Sequence, residues 1–371
     1  MNSPPEALPR RTVLKGAIGL GAMTVMAACG RSPATDSGSR LKITDQRGRT
    51  LRLDGPAKRI VTIPFPAASI MIAVDRSITH IAGMHSAAWT AARDSVLSDF
   101  FPGVVNIPHD IASETFAPNI ESVLALKPDL VVQWANQGDA IIAPLDNAGL
   151  SVLGVEYGTL DDVGRWIMMF AQALGKPDRG RAMAARLKAD QVEAAATAAK
   201  RTGAKPSVLY FNRFVDGLKV AGSGTFNDDY IRLIGAENAG AGVKALADVD
   251  LEQVLSWDPD IIVLGNFDAA LPADVYGDKR WKDVAAVRSR RVYKAPIGGY
   301  RWDPPSHESP LMWHWLGQIA YPDGTDGGLR AKVLDDYAYF YNQTPDAKQI
   351  AKMLWTEENG ASANYESFSN T

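Results

Sequence analysis

Asn119-Ile-Glu-Ser-Val-Leu-Ala-Leu-Lys-Pro-Asp-Leu-Val-Val132 and Asp250-Leu-Glu-Gln-Val-Leu-Ser-Trp-Asp-Pro-Asp-Ile-Ile-Val263 are two copies of one design. Each opens on a polar residue able to cap a helix, places a glutamate in the first turn, and continues with an apolar stripe. Each then halts at Pro-Asp and enters an unbroken apolar run of the kind buried in a parallel sheet. A helix-to-strand unit used twice, about 130 residues apart, predicts two similar α/β lobes facing one another. Clefts between such lobes are where small ligands bind.

Working outward, short β-rich runs alternate with helical patterns on both sides of each copy. Arg59–Ile63, Ile81–Met84, Leu130–Trp134 and Val152–Val155 read as strands of the first lobe, with helices over 67–74, 120–126, 140–148 and 160–174. Ser207–Phe211 and Ile261–Leu264 read as strands of the second, with helices over 226–234 and 250–255. Between the lobes, Asp178–Arg201 is rich in Ala, Lys, Arg, Glu and Gln and has no internal proline. A helix of that length runs roughly 35 Å and serves as a strut. The expected organisation is an N-terminal lobe over 41–177, a bridging helix over 178–202, and a C-terminal lobe and tail over 203–371.

Composition narrows the function. The chain has 371 residues, 46% hydrophobic and 22% charged, with a net charge of −3, which excludes a disordered chain and makes nucleic acid an improbable partner. Its one cysteine, Cys29, excludes an intrachain disulfide and a cysteine-rich zinc site. Residues 1–28 have the form of an export signal. Arg10-Arg11-Thr12-Val13-Leu14-Lys15 is a twin-arginine pattern, and the apolar run Gly16–Ala28 is too short to span a bilayer. That run ends in Met26-Ala27-Ala28-Cys29, which resembles a lipobox, so Cys29 is the expected lipidation site. Residues 29–40 then form the lipid anchor and a polar tether.

In open α/β sheets ligands sit beyond the carboxyl ends of the strands. Those ends and their neighbouring loops carry Phe65, His85, Trp89, Trp134, Tyr157, Arg213, Asn266, Tyr300, Arg301 and Trp302, which are the candidate ligand-binding residues. Aromatic faces cover an organic shell, and arginine forks bind carboxylate or hydroxamate oxygens. The set is suited to a large anionic ligand. Gly222-Ser223-Gly224 lacks the flanking glycines of a nucleophile elbow and the Gly-Lys-[Ser/Thr] of a phosphate loop, so it reads as a turn before a helix. No catalytic residue is expected.

The paired glutamate helices, together with Ile43–Thr50, Pro56–Val61, Val220–Phe226, Arg291-Val292-Tyr293 and Trp302-Asp-Pro-Pro-Ser-His-Glu-Ser-Pro-Leu311, resemble the substrate-binding proteins of metal-chelate ABC importers. That group, class III of the periplasmic binding proteins, captures ferric siderophores, haem and cobalamin. The resemblance spans about Leu41 to Leu354. It implies two Rossmann-like lobes bridged by a single long helix with the ligand in the cleft between them. It also implies that Glu121 and Glu252, one on each lobe, dock onto arginines of a membrane permease. The expected protein is a monomeric, exported lipoprotein held at the outer face of the cytoplasmic membrane. It delivers a ferric-siderophore-type chelate to an ABC permease and its ATPase, with no cofactor of its own. Thr115 stands where hydroxamate and cobalamin binders of this group tend to carry an arginine or an aromatic. Two alternatives are a direct binder of divalent metal ions and a sensory lipoprotein without a transport role. The first would draw on His80, His85, His109, His307 and His314, of which only His85 and His307 could face each other across the cleft.

Overall fold

The computed structural model describes residues 40–215, 217–324 and 328–368. The twin-arginine pattern, the lipobox and Cys29 lie outside the described residues. Strands β1 (Leu41–Thr44) and β2 (Thr50–Leu53) form an antiparallel hairpin ahead of the first lobe. Strands β3 (Ile60–Thr62), β4 (Ile81–Met84), β5 (Leu130–Trp134) and β6 (Val152–Val155) form a wholly parallel sheet in the order β4-β3-β5-β6.

The second lobe is built on β7 (Ser207–Arg213), β8 (Leu218–Ala221), β9 (Glu237–Asn238), β10 (Leu246–Val249), β11 (Ile261–Leu264) and β12 (Val292–Lys294). Its sheet runs β10-β8-β7-β11-β12, with β9 also paired to β7. The β7, β11 and β12 pairings are parallel, but β8 and β10 add an antiparallel edge, so this sheet is mixed. The reason is local. Only residues 214–217 separate β7 from β8, and a connection that short cannot make the crossover a parallel pair requires.

Helix Pro177–Ala199 joins the lobes, with Gly180, Met183 and Leu187 buried. Gly180 lets it approach helix Leu160–Ala173 closely: a Cβ there would run into Ala171 and the carbonyl of Ile167. Strand residues alternate between cores. Ile60, Leu130, Val132, Val208, Tyr210, Ile261 and Val263 face one large shared core. Val61 and Val131 face a second core in the N-terminal lobe, and Leu209, Ile262 and Leu264 a third in the C-terminal lobe. Helices Ser309–Ala320 and Leu329–Tyr341 complete the shared core. The first is buried at all but one of its positions, so it carries little helical periodicity to read.

The duplicated unit is duplicated in atomic detail. Asn119 accepts a hydrogen bond from Ser122 N (3.1 Å) and Asp250 one from Gln253 N (2.8 Å), each capping its helix. Lys127 and Asp258 both take positive φ, 48° and 40°, immediately before the proline. The aspartates after the prolines do the same work. Asp129 accepts from Lys58 N (2.7 Å) and Arg59 N (3.0 Å), and Asp260 from Ser207 N (2.8 Å), so each carboxylate fixes the entry of its lobe's first parallel-sheet strand.

Candidate functional site

The lobes meet along the carboxyl ends of their strands. Phe65, after β3, packs against Phe116 with ring centroids 4.8 Å apart and against Phe267 of the other lobe at 6.4 Å. Arg301, 8% exposed, donates from Nε to Asn266 O (2.9 Å) and from Nη1 across the lobe boundary to Ala87 O (3.2 Å). Its guanidinium lies over the Phe267 ring at 5.0 Å. Tyr157 is held by the side chain of Asn136, which bonds both its backbone N (3.1 Å) and O (2.8 Å). Although the residue is 41% exposed, its hydroxyl is pushed up to about 12 by burial and by Asp229 and Asp303 of the opposite lobe. The Tyr157 hydroxyl thus feels the charge of the opposite lobe.

Two polar atoms here stand out. The Tyr300 ring is buried and its hydroxyl, beside Arg301, donates to no acceptor, and Trp134 Nε1 between Phe116 and Tyr157 also has none. A buried donor without an acceptor costs roughly 1–3 kcal/mol, so an oxygen supplied by water or a ligand would be favourable at either group. Beneath them Lys294 is buried, and burial lowers its pKa; it donates to Gly265 O (2.7 Å) and Asp268 O (2.9 Å). The buried carboxylate of Asp303 is already satisfied by Tyr210 Oη (2.5 Å) and by Asn266 N (3.0 Å) and Nδ2 (3.2 Å). The lining thus offers arginine, indole and phenol donors, with Asp229 as a partly exposed carboxylate opposite Tyr157.

The sequence-predicted residues separate into groups. Phe65 and Arg301 meet over Phe267 between the lobes with Tyr300 beside Arg301, Tyr157 joins Trp134 on the first lobe, and Arg213 lies exposed at the rim, donating to Phe267 O (3.0 Å). Four other candidates are tied into the fold by their own hydrogen bonds. His85 is fully buried and accepts from Ala87 N (3.0 Å) through Nδ1 as a helix cap, while Nε2 bonds Ser113 O (2.9 Å), and burial lowers its pKa. Trp302 is fully buried, its Nε1 donating to Glu308 (2.8 Å). Asn266 spends its amide on Ala295 O and Pro296 O, each at 3.0 Å. Trp89 stacks on His109 at 4.1 Å and bonds Val105 O, and is not brought to the Phe65–Phe267 contact. Trp134 lies in the core at the floor, against Trp166.

His307 is sealed against Phe340 and Tyr341, so it does not face His85. Among the described residues no three His, Cys, Asp or Glu side chains gather as a metal site. Ser223 donates to Val243 O (3.0 Å) and Thr225 caps the following helix, so this turn is structural. Phe116 was not anticipated. It sits one residue beyond Thr115 with φ 65°, and the only sequence signal was its place beside that position.

On the outer surface, Glu121 and Glu252 are exposed and have no ion-pair partner among the described residues. One turn further along each helix, Leu124 and Leu255 are exposed too, at 44% and 36%. The two patches match residue for residue.

The periplasmic binding protein family model matches residues 113–297. A periplasmic solute binding protein of Veillonella parvula is 34% identical, with a TM-score of 0.79, and the match covers 86% of this chain and 98% of that one. The molybdate-binding protein MolA of Haemophilus influenzae is 26% identical over 81% of this chain and 90% of its own length. The Fe(3+)-citrate-binding protein YfmC of Bacillus subtilis is 25% identical, covering 72% and 80%. The chain belongs to the periplasmic binding protein family, whose members are solute-binding transport proteins working outside the cytoplasm. The two-lobed α/β architecture expected from the duplicated unit is the architecture of that family.

Proposed function

We propose that the protein captures an anionic metal complex between its lobes, a ferric chelate of the siderophore or citrate type, and delivers it to an ABC permease. The observation that carries this is Arg301 bridging the lobes, with Tyr300 next to it and Trp134 Nε1 on the first lobe donating to no acceptor. Donors without acceptors call for a ligand rich in oxygen and negative charge. The rings of Phe65, Phe116 and Phe267 supply apolar walls for its organic part. The relative named for ferric citrate supports this cargo. The relative named for molybdate supports the same charge in a smaller body.

Delivery rests on the paired outer patches. Glu121 with Leu124 and Glu252 with Leu255 repeat one acidic and one apolar contact on each lobe, which fits a permease with two equivalent arginine-bearing faces. Cys29 supplies the lipid that keeps the protein at the membrane, and the chain acts as a monomer. Titration calorimetry with ferric citrate and with molybdate tests the site. Arg301→Ala weakens whichever ligand binds by thirtyfold or so, the order expected for losing a charge-assisted pair, and Arg213→Ala at the rim by much less. Equal losses at both arginines would refute the assigned site.

A further inference from the structure

Glu308 does not touch the cleft, yet every group around it leads there. Its carboxylate is fully buried and accepts from Gly299 N (3.1 Å to each oxygen), Trp302 Nε1 (2.8 Å), Tyr337 Oη (2.9 Å) and Tyr341 Oη. Gly299 N also donates to Tyr337 Oη (2.7 Å), so the cluster is closed on itself. The chain at 298–299 is pressed onto this cluster: a Cβ on Gly298 or Gly299 would collide with the Glu308 carboxylate and with a tyrosine hydroxyl, Tyr337 or Tyr341. Two of the four donors, Gly299 and Trp302, flank Tyr300 and Arg301. Those are the two residues between the lobes that carry the unpartnered hydroxyl and the bridging guanidinium. The other two donors come from helix Leu329–Tyr341, whose tyrosines touch Phe100 and Phe101 of the first lobe.

We infer that Glu308 is the positioning residue of the ligand site: its carboxylate clamps residues 299–302 against helix Leu329–Tyr341 and so holds Tyr300 and Arg301 in the geometry that receives the ligand. An isosteric amide does this only in part. Glu308→Gln replaces one acceptor oxygen with an NH2 that faces the same donors, leaving part of the cluster unsatisfied. The inference rests on the proposed role of Arg301, and its test separates the two.

The ligand-free protein is examined first, by hydrogen exchange. Glu308→Gln speeds exchange at least tenfold in 298–302 while helix Pro177–Ala199 keeps its protection, and Tyr337→Phe, a milder loss of one donor, gives a smaller change in the same segment. Unchanged exchange there, or a uniform rise throughout, would overturn the inference without any ligand being needed. The second arm is a double-mutant cycle with ferric citrate as the probe. Glu308→Gln weakens binding about tenfold in the wild-type background and by clearly less in the Arg301→Ala background, because the part of its effect that passes through Arg301 is then already lost. Independent, additive losses would make Glu308 a merely structural residue. If the wild-type protein does not bind ferric citrate, the cargo proposal fails, and the exchange arm alone decides the role of Glu308.

Discussion

Between Arg301 and Glu308 the chain passes from a charge that spans the lobes to a charge sealed in the interior, and the two carry opposite electrostatic costs. Burial pushes Glu308 up to about 7 and His307 down to about 3. For Glu308 the folded value lies above its ordinary one of 4.5, so its contribution to stability is complete below about pH 4.5 and lost as pH rises through 7. For His307 the folded value lies below 6.5, so its contribution is present above pH 6.5 and lost as pH falls towards 3. Between pH 4.5 and 6.5 the two slopes oppose each other. Thermal denaturation separates them: Glu308→Gln leaves the His307 slope alone, and the melting temperature falls on acidification across that window. His307→Gln leaves the Glu308 slope, and the melting temperature rises. Parallel profiles for the two variants would contradict the assignment.

The elements show why part of the fold could be read directly and part could not. Each copy of the duplicated unit has its cap, its Pro-Asp stop and its strand where the residues predict them, because each of those signals acts within a few residues. What the two aspartates do beyond the stop, gripping the backbone ahead of β3 and β7, is a long-range contact that no local pattern encodes. Helix Ser309–Ala320 was not legible because it is apolar on nearly every side. Helix Pro177–Ala199 depends on Gly180 for its approach to Leu160–Ala173. Gly180→Val destabilises the protein by about 2 kcal/mol through overpacking, a loss that urea denaturation measures as a lower midpoint with an unchanged slope. On the outer surface, replacing Glu121 and Glu252 together abolishes uptake in cells and leaves ligand affinity unaltered. Leu124→Ser with Leu255→Ser lowers uptake in the same way. A matching fall in affinity would show that these helices serve the cleft and not a permease.

At the scale of the whole molecule, two lobes sharing one core across a helical strut place a lining of donors where their strand ends meet. The strand ends could be located from sequence, and with them the positions of Phe65, Tyr157, Tyr300 and Arg301, which the proposed site uses. Which aromatics are sealed in the interior could not, since Trp302 differs from Tyr157 only in how distant segments cover it. Phe116 enters the site through a left-handed backbone turn that its own residue type disfavours. The central claim is that this arrangement selects a negatively charged metal complex. Tryptophan fluorescence of the soluble 30–371 fragment, titrated in parallel with ferric citrate, a ferric siderophore, molybdate, cobalamin and free nickel, tests it most directly. The account predicts saturable quenching at sub-micromolar concentration by a ferric chelate, lost on Arg301→Ala, and no response to free nickel. A response to nickel or cobalamin that survives Arg301→Ala would contradict it, and saturation by molybdate alone would keep the anionic site while replacing the chelate as its cargo.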